Sequence, residues 1–459
     1  MLTNLLRPAV AKESIVMIKL AIPAVIAQLA QMSLGAIDTI MAGNLSTNAL
    51  AAIAVGNNLF VPMLIFSLGL FMALNPLVAQ ANGAKRYNKL GEYLRQGLYL
   101  AVVTTIPTLL LLDQLEPLMH IIGVQPSIIP VVMGYLEAIS WGVLPLYLFL
   151  VVRSVNEGLF STPAIMYISL AAIPVNILLN YIFMYGYLGL PAMGAIGLGY
   201  ATSIVWTLLF LALFLYTIFA KKYQHIVFFS HFHKPDWKVF KEILHIGIPL
   251  SISVGLEVLM FGTVGLLIGR YSVEIIAAHQ IAVNFSSLVF MVPLGLSVAV
   301  TARVGHAVGS NSVAAVKRAS KIGLAFSASL MACAMILTML FPLQLVSIYT
   351  SETEVREIAV QLLYLAAIFM ISDGLQVTTA GALRGLKDTF VPMLMAGISY
   401  WLVGFPVGYF MAEVMEMEAR GYWIGYIAGL SVAAILLGYR LRYVFRNLSL
   451  KGFKNTNPA

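Results

Sequence analysis

Twelve runs of apolar residues leave this chain little choice of environment, because each is close to the twenty or so residues that cross about 30 Å of hydrocarbon as a helix. They fall near 14–40, 50–76, 93–112, 128–150, 160–184, 195–220, 242–268, 276–302, 320–345, 355–382, 390–411 and 421–445. Of the 459 residues, 60% are hydrophobic and only 10% are charged, whereas an ordinary globular domain carries about 25% charge. The pattern predicts an all-α polytopic membrane protein with twelve transmembrane helices. A membrane β-barrel does not fit, since its strands alternate polar and apolar residues over about ten positions. Prolines at 23, 62, 145, 174, 249, 293 and 406 interrupt several runs, and packed neighbours can re-satisfy the backbone groups they free.

The net charge of +8 raises the question of a nucleic-acid partner, and the placement of the charge answers it. With the N-terminus inside, every Lys and Arg except Arg270, Arg356 and Arg420 falls in a cytoplasmic segment. That asymmetry is the positive-inside signature of an inner (plasma) membrane protein. Both termini are therefore expected in the cytoplasm, with lipid around the spans and no nucleic acid. The single cysteine, Cys333, lies in an apolar run and cannot form an intrachain disulfide. The first 13 residues are mixed polar and lead straight into a span, without the pattern of a cleavable leader.

The chain also repeats itself at an offset of 226 residues. Pro23 then meets Pro249, Ala51 and Ala52 meet Ala277 and Ala278, Gly83 meets Gly309, and Gly199-Tyr200 meets Gly425-Tyr426. The segment GLFSTPAIM after Asn156 corresponds to GLKDTFVPML after Arg384, with two residues inserted in the second. Six spans per half is an even number, so the halves insert the same way up, related by a pseudo-two-fold axis along the membrane normal. The expected division is 1–218 as an N-lobe, 219–241 as a cytoplasmic linker, 242–446 as a C-lobe and 447–459 as a tail. His225, His231 and His233 in the linker could hold a metal, although a solvated linker is the plainer reading. Paired bundles of this kind are carrier architecture, with substrate near the midplane and access alternating; that alone does not name a substrate.

Four acids lie within the spans: Asp38, Glu137, Glu257 and Asp373. A charged carboxylate at mid-span costs about 2.5–3.5 kcal/mol on insertion scales. Glu257 has no Lys or Arg within ten residues on either side, and none of the four has an obvious basic partner within a span. Such acids are balanced by a proton or a small cation; a neutral, hydrogen-bonded carboxyl is the plain alternative. Asn176 and Asn180 share a helix face, and with Thr202 they could join Asp38 in an oxygen-rich set. Interhelical hydrogen bonding explains the same amides equally well. Gln376 and Thr379 follow Asp373 at helical spacing, Glu257 meets Gln31 under the repeat, and Glu137 is interfacial. His279, Gln280 and Asn284 occupy the first two turns of the eighth span, where a histidine is more often a packing residue than a proton carrier.

The segments AIDTIMAG, NPLVAQANGA, VNILLNYIFMYG, GLEVLMF, AAHQIAVNFSSLVFMVPL, ISDGLQV and GALRGLKDT, in this order, closely resemble the NorM-type multidrug and toxic compound extrusion (MATE) transporters of Gram-negative bacteria. The resemblance covers essentially the whole chain. It implies a secondary antiporter, not an enzyme, that exchanges Na⁺ or H⁺ for cationic lipophilic drugs and dyes. No cofactor is implied beyond that coupling ion, and a monomer is expected. Carried over by position, Asp38 is the N-lobe acid near Asn176 and Asn180, and Glu257 and Asp373 are the C-lobe ligands for Na⁺. Gln280 and Asn284 are supporting polar groups, and Gln31, Phe369 and Gln376 are candidates to line the substrate path. The related pattern has Tyr where this chain has Phe369, so one phenolic oxygen is missing, although Phe369 could still stack on a substrate.

The nearest rival is a lipid-linked oligosaccharide flippase of the same superfamily, which is expected to line its cavity with basic residues; the spans as read offer none. For an intramembrane enzyme, the paired YD and GxGD aspartates, GxSxG, HExxH and clustered Asp-rich motifs are all missing from the sequence.

Overall fold

The structure, a computed structural model, describes residues 8–226, 228 and 234–451, with side chains to 448. Twelve helices in it are long and apolar enough to cross a membrane. They are α1 (Pro8–Leu45), α2 (Thr47–Gly83), α3 (Tyr87–Asp113), α4 (Ile129–Gly158), α5 (Thr162–Tyr185), α6 (Gly194–Phe219), α7 (Trp237–Ile268), α8 (Val273–Gly309), α9 (Val313–Leu340), α10 (Thr353–Gly385), α11 (Phe390–Val414) and α12 (Glu418–Leu448). Several outrun the apolar stretch that announces them, because polar first and last turns continue the helix into the interface. Ser46, Ser272 and Ser312 cap α2, α8 and α9, each accepting a backbone N–H three residues on. Gly186 ends α5 at φ 79°, a left-handed value that glycine adopts without strain.

The internal repeat reappears in backbone geometry. Lys85 and Asn311, 226 residues apart, have φ of 55° and 58°; Phe160 and Lys387, after the fourth and tenth helices, have 60° and 61°. Non-glycine residues adopt this region in only a few per cent of cases, so two matched pairs reflect a shared turn design. Packing repeats as well. In one half α4 packs on α2, α3 and α6, and α5 on α6; in the other α10 packs on α8, α9 and α12, and α11 on α12.

The chain divides into two compact units, and the cuts fall inside α1 and α7. One unit is Ile26–Ser251; the other joins the segment ending at Val25 to everything from Ile252 onward. This division departs from lobes at 1–218 and 242–446, for a reason visible in the contacts. Glu13 of α1 receives two hydrogen bonds from Arg303 of α8, at 2.7 and 2.8 Å. Gly295 passes so close to α1 that a Cβ there would sit 2.6 Å from the Val25 nitrogen. Conversely, Ser251 of α7 donates to the Phe66 carbonyl at 2.6 Å, and a Cβ on Gly247 would lie 2.7 Å from the Leu70 carbonyl oxygen. A register shift finds the repeat but carries no information on which bundle a helix end joins.

The described part of the linker is held down. Arg95 donates to the Phe228 carbonyl, Gln96 bonds both the Lys234 carbonyl and the Asp236 N–H, and His225 sits edge-on to Tyr87. His231 and His233 lie outside the described residues.

Candidate functional site

In the unit spanning Ile26–Ser251, α1, α5 and α6 converge on Asp38, which is 9% exposed. Asn176 and Asn180 lie one turn apart on α5, so both amides reach the same carboxylate oxygen, donating to Oδ1 at 3.1 and 2.7 Å. Thr202 of α6 donates to Oδ2 at 3.1 Å. The amides thus present hydrogens to Asp38 rather than oxygens. The Asn180 carbonyl oxygen remains buried without a partner among the described residues, and it and the Thr202 hydroxyl oxygen are neutral oxygens a cation could use.

The other unit has a second cluster where α7, α10 and α11 meet. Glu257 of α7 is half-buried, with the Tyr400 hydroxyl and the Gln376 amide as its polar neighbours. Gln376 donates to the Tyr400 oxygen at 2.7 Å, and its own carbonyl oxygen is buried and unpartnered among the described residues. Asp373, 7% exposed, feels the Glu257 charge, with no donor on its carboxylate among the described residues. Two carboxylates in one apolar surrounding repel unless a cation or a proton comes between them. Among the described residues no ion pair reaches Asp38, Glu257 or Asp373, and no group of three or more His, Cys, Asp or Glu is placed to cage a metal. A hard cation here would rely on carboxylates plus neutral oxygens.

Several candidates belong elsewhere. Gln280 is exposed; Asn284 is exposed too and accepts from Tyr349 at 3.0 Å. Neither has a hydrogen bond to Glu257 or Asp373 among the described residues. Phe369 is 3% exposed and stacked on Trp423, ring centroids 5.8 Å apart, so its ring packs the core instead of facing a substrate path. Trp423 also donates to His279 Nδ1 at 3.2 Å, which makes His279 a packing residue. Thr379 bonds its own helix, at the Leu375 carbonyl. Gln31 receives a hydrogen bond from Arg153. That arginine, assigned to an inside segment by the charge pattern, lies within α4 and is buried. Glu157, one turn on, pairs with it at 2.9 Å, so it is a neutralised group, not a free basic lining.

Sequence reasoning missed Tyr400. The available signal was a Tyr-Trp pair in mid-span shortly before Pro406, two adjacent aromatic residues with polar handles in a mostly apolar segment.

The MatE family model matches residues 23–182 and 249–410. The multidrug resistance protein NorM of Aliivibrio fischeri is 40% identical over 440 residues, 95% of this chain and 96% of its own. The multidrug resistance protein MdtK of Yersinia pseudotuberculosis is 40% identical over 437 residues, covering 93% and 95%. Among solved structures, a multidrug resistance MATE family transporter of the MOP superfamily in an outward-facing conformation superposes with a TM-score of 0.87 over 96% of this chain and 97% of that one, at 20% identity. The twelve-helix fold, the two matched segments and the near full-length similarity agree: this chain belongs to the MatE family.

Proposed function

We infer that this protein is a multidrug efflux carrier, an antiporter that exchanges Na⁺ or H⁺ for cationic lipophilic drugs and dyes by alternating access. The relatives' names support efflux of drugs. The observation that carries the antiport reading is the Glu257–Asp373 pair, two carboxylates in membrane helices with no fixed cation beside them. An ion descending its gradient neutralises this pair, or Asp38, and a cationic drug competes for the same charge. Ligand and ion then bias one conformational equilibrium in opposite directions, which is what coupling requires. The carrier sits in the bacterial inner membrane with both termini cytoplasmic, works as a monomer and needs no enzymatic step. The flippase reading is not favoured: the relatives are named multidrug resistance proteins, and buried Arg153 is already paired with Glu157.

Ethidium efflux from everted or reconstituted vesicles, with Na⁺ and pH gradients imposed separately, tests this. Efflux accelerated by one gradient and reduced on the order of 5–150-fold by Glu257→Gln is expected. Efflux insensitive to both gradients, or normal in the Glu257→Gln protein, overturns the antiport mechanism.

A further inference from the structure

The eleventh helix is not a uniform α-helix. Residues Ile398–Gly404 form a π-helical stretch, and the Phe405 N–H reaches back five residues to the Tyr400 carbonyl. Pro406 supplies the reason: it has no N–H, and in an α-helix its ring would clash with the carbonyl four residues back, so the preceding turn widens. Such widened turns concentrate at functional sites. Here the turn faces α7 with two successive side chains. Trp401 donates its indole N–H to the Leu256 carbonyl at 3.1 Å, and Tyr400, wholly buried, brings its hydroxyl to Glu257 on the next residue. Close approach to α12 holds the turn in place, since a Cβ on Gly425 would sit 2.5 Å from Gly408 Cα and 2.6 Å from the Gly404 carbonyl oxygen.

The hydrogen bonds around Tyr400 have a direction. Gln376 donates to the phenolic oxygen, which leaves the phenolic hydrogen to be given away, and the Glu257 carboxylate is the neighbouring acidic group. The Gln376 carbonyl oxygen, buried and unpartnered among the described residues, belongs to the same group. Glu257, Asp373, Tyr400 and Gln376 thus gather two carboxylates and two neutral oxygens on three helices. Tyr426 offers the contrast: it is a buried tyrosine of the same unit whose hydroxyl has no partner among the described residues, its ring stacked on Phe261.

We propose that Tyr400, presented by the π-helical turn of α11, is a positioning residue for the coupling site, orienting Glu257 and supplying a neutral oxygen beside it for Na⁺. This rests on the antiport reading above and extends it to a residue outside the acids. It also assigns a phenol to the site from a different helix than the one bearing Phe369.

The test is Na⁺-driven ethidium efflux in reconstituted vesicles over a range of Na⁺ concentrations, with the wild type, Glu257→Gln, Tyr400→Phe and Tyr426→Phe compared. Tyr400→Phe is expected to raise the half-saturating Na⁺ concentration about tenfold, the effect of losing one hydrogen bond to a charged group. Its maximal rate and its ethidium affinity without Na⁺ stay within about threefold of wild type on the same scale. Tyr426→Phe, which loses a hydroxyl of equal size, keeps the wild-type Na⁺ dependence. If Glu257→Gln is inactive but Tyr400→Phe keeps the wild-type Na⁺ dependence, the role of Tyr400 is overturned and the antiport reading stands. A wild type that ignores Na⁺, or an unaffected Glu257→Gln, overturns both. Should Tyr400→Phe fail to reach the membrane, Gln376→Met removes the donor onto the phenol while leaving the tyrosine; an unchanged half-saturation there also overturns the inference.

Discussion

The two acid clusters meet the same problem, a carboxylate inside a membrane helix, in different ways. Asp38 is enclosed by three donors from two helices, so fixed dipoles offset part of its charge. Glu257 and Asp373 share two donors between two carboxylates, with Glu257 half-open and Asp373 without any. Charge held by fixed hydrogen bonds can be stable without a ligand, whereas charge left in excess needs one. The comparison therefore points to the stronger ion dependence in the second cluster, although α1 and α5 of the first correspond to α7 and α11 of the second under the internal repeat.

The largest effect expected from this contrast lies in transport. Glu257→Gln and Asp373→Asn should each reduce ion-driven ethidium efflux on the order of 5–150-fold, the usual span of a coupling interaction, at normal membrane levels of protein. Efflux assays on cells with matched expression measure it. If either variant works at the wild-type rate, the second cluster loses its role.

Stability should separate the clusters in the opposite sense. Asp38→Asn sets an amide against amide and hydroxyl donors, leaving a buried mismatch that costs about 1.5–3 kcal/mol. Asp373→Asn removes one of two like charges and is expected to be neutral or stabilising. Thermal unfolding in detergent distinguishes the two, and equal losses would remove the contrast. Within the first cluster, Asn180→Ala should cost more than Thr202→Val, because the Asn180 bond to Asp38 is 2.7 Å against 3.1 Å. Single hydrogen bonds between membrane helices average about 0.6 kcal/mol, so purified variants are needed to resolve the order.

How much of this was legible in the sequence follows from what each signal encodes. Apolar length and basic asymmetry are properties of single segments, and they locate all twelve helices. Asp38 with Asn176, Asn180 and Thr202 was legible because two amides at i and i+4 mark one face, and a mid-span acid calls for donors. The membership of Gln280 and Asn284 was not, since their position along α8 fixes depth while the face they occupy depends on how α8 rotates against its neighbours. Phe369 shows the same limit: one turn before Asp373 places it near the site, but the decision to stack on Trp423 is made in tertiary packing. Tyr400 was hidden for a further reason. Its direction depends on a widened turn upstream of Pro406, and helical spacing counted at 3.6 residues per turn aims it at the wrong neighbour.

The smallest expected effect is also the sharpest check on where the second cluster ends. Gln280→Ala and Asn284→Ala change side chains on an exposed face of α8, and Asn284 loses only an exposed bond from Tyr349. Substitutions at such positions usually move stability by no more than about 0.5 kcal/mol, and among the described residues neither side chain has a hydrogen bond to Glu257. Efflux rate, Na⁺ dependence and unfolding temperature should all match wild type. A clear change in Na⁺ dependence from either one would mean that the ion's surroundings extend onto α8, and the coupling group of Glu257, Asp373, Gln376 and Tyr400 would then be incomplete. Unchanged behaviour confines the excess charge to α7, α10 and α11, the three helices that an arriving cation has to draw together.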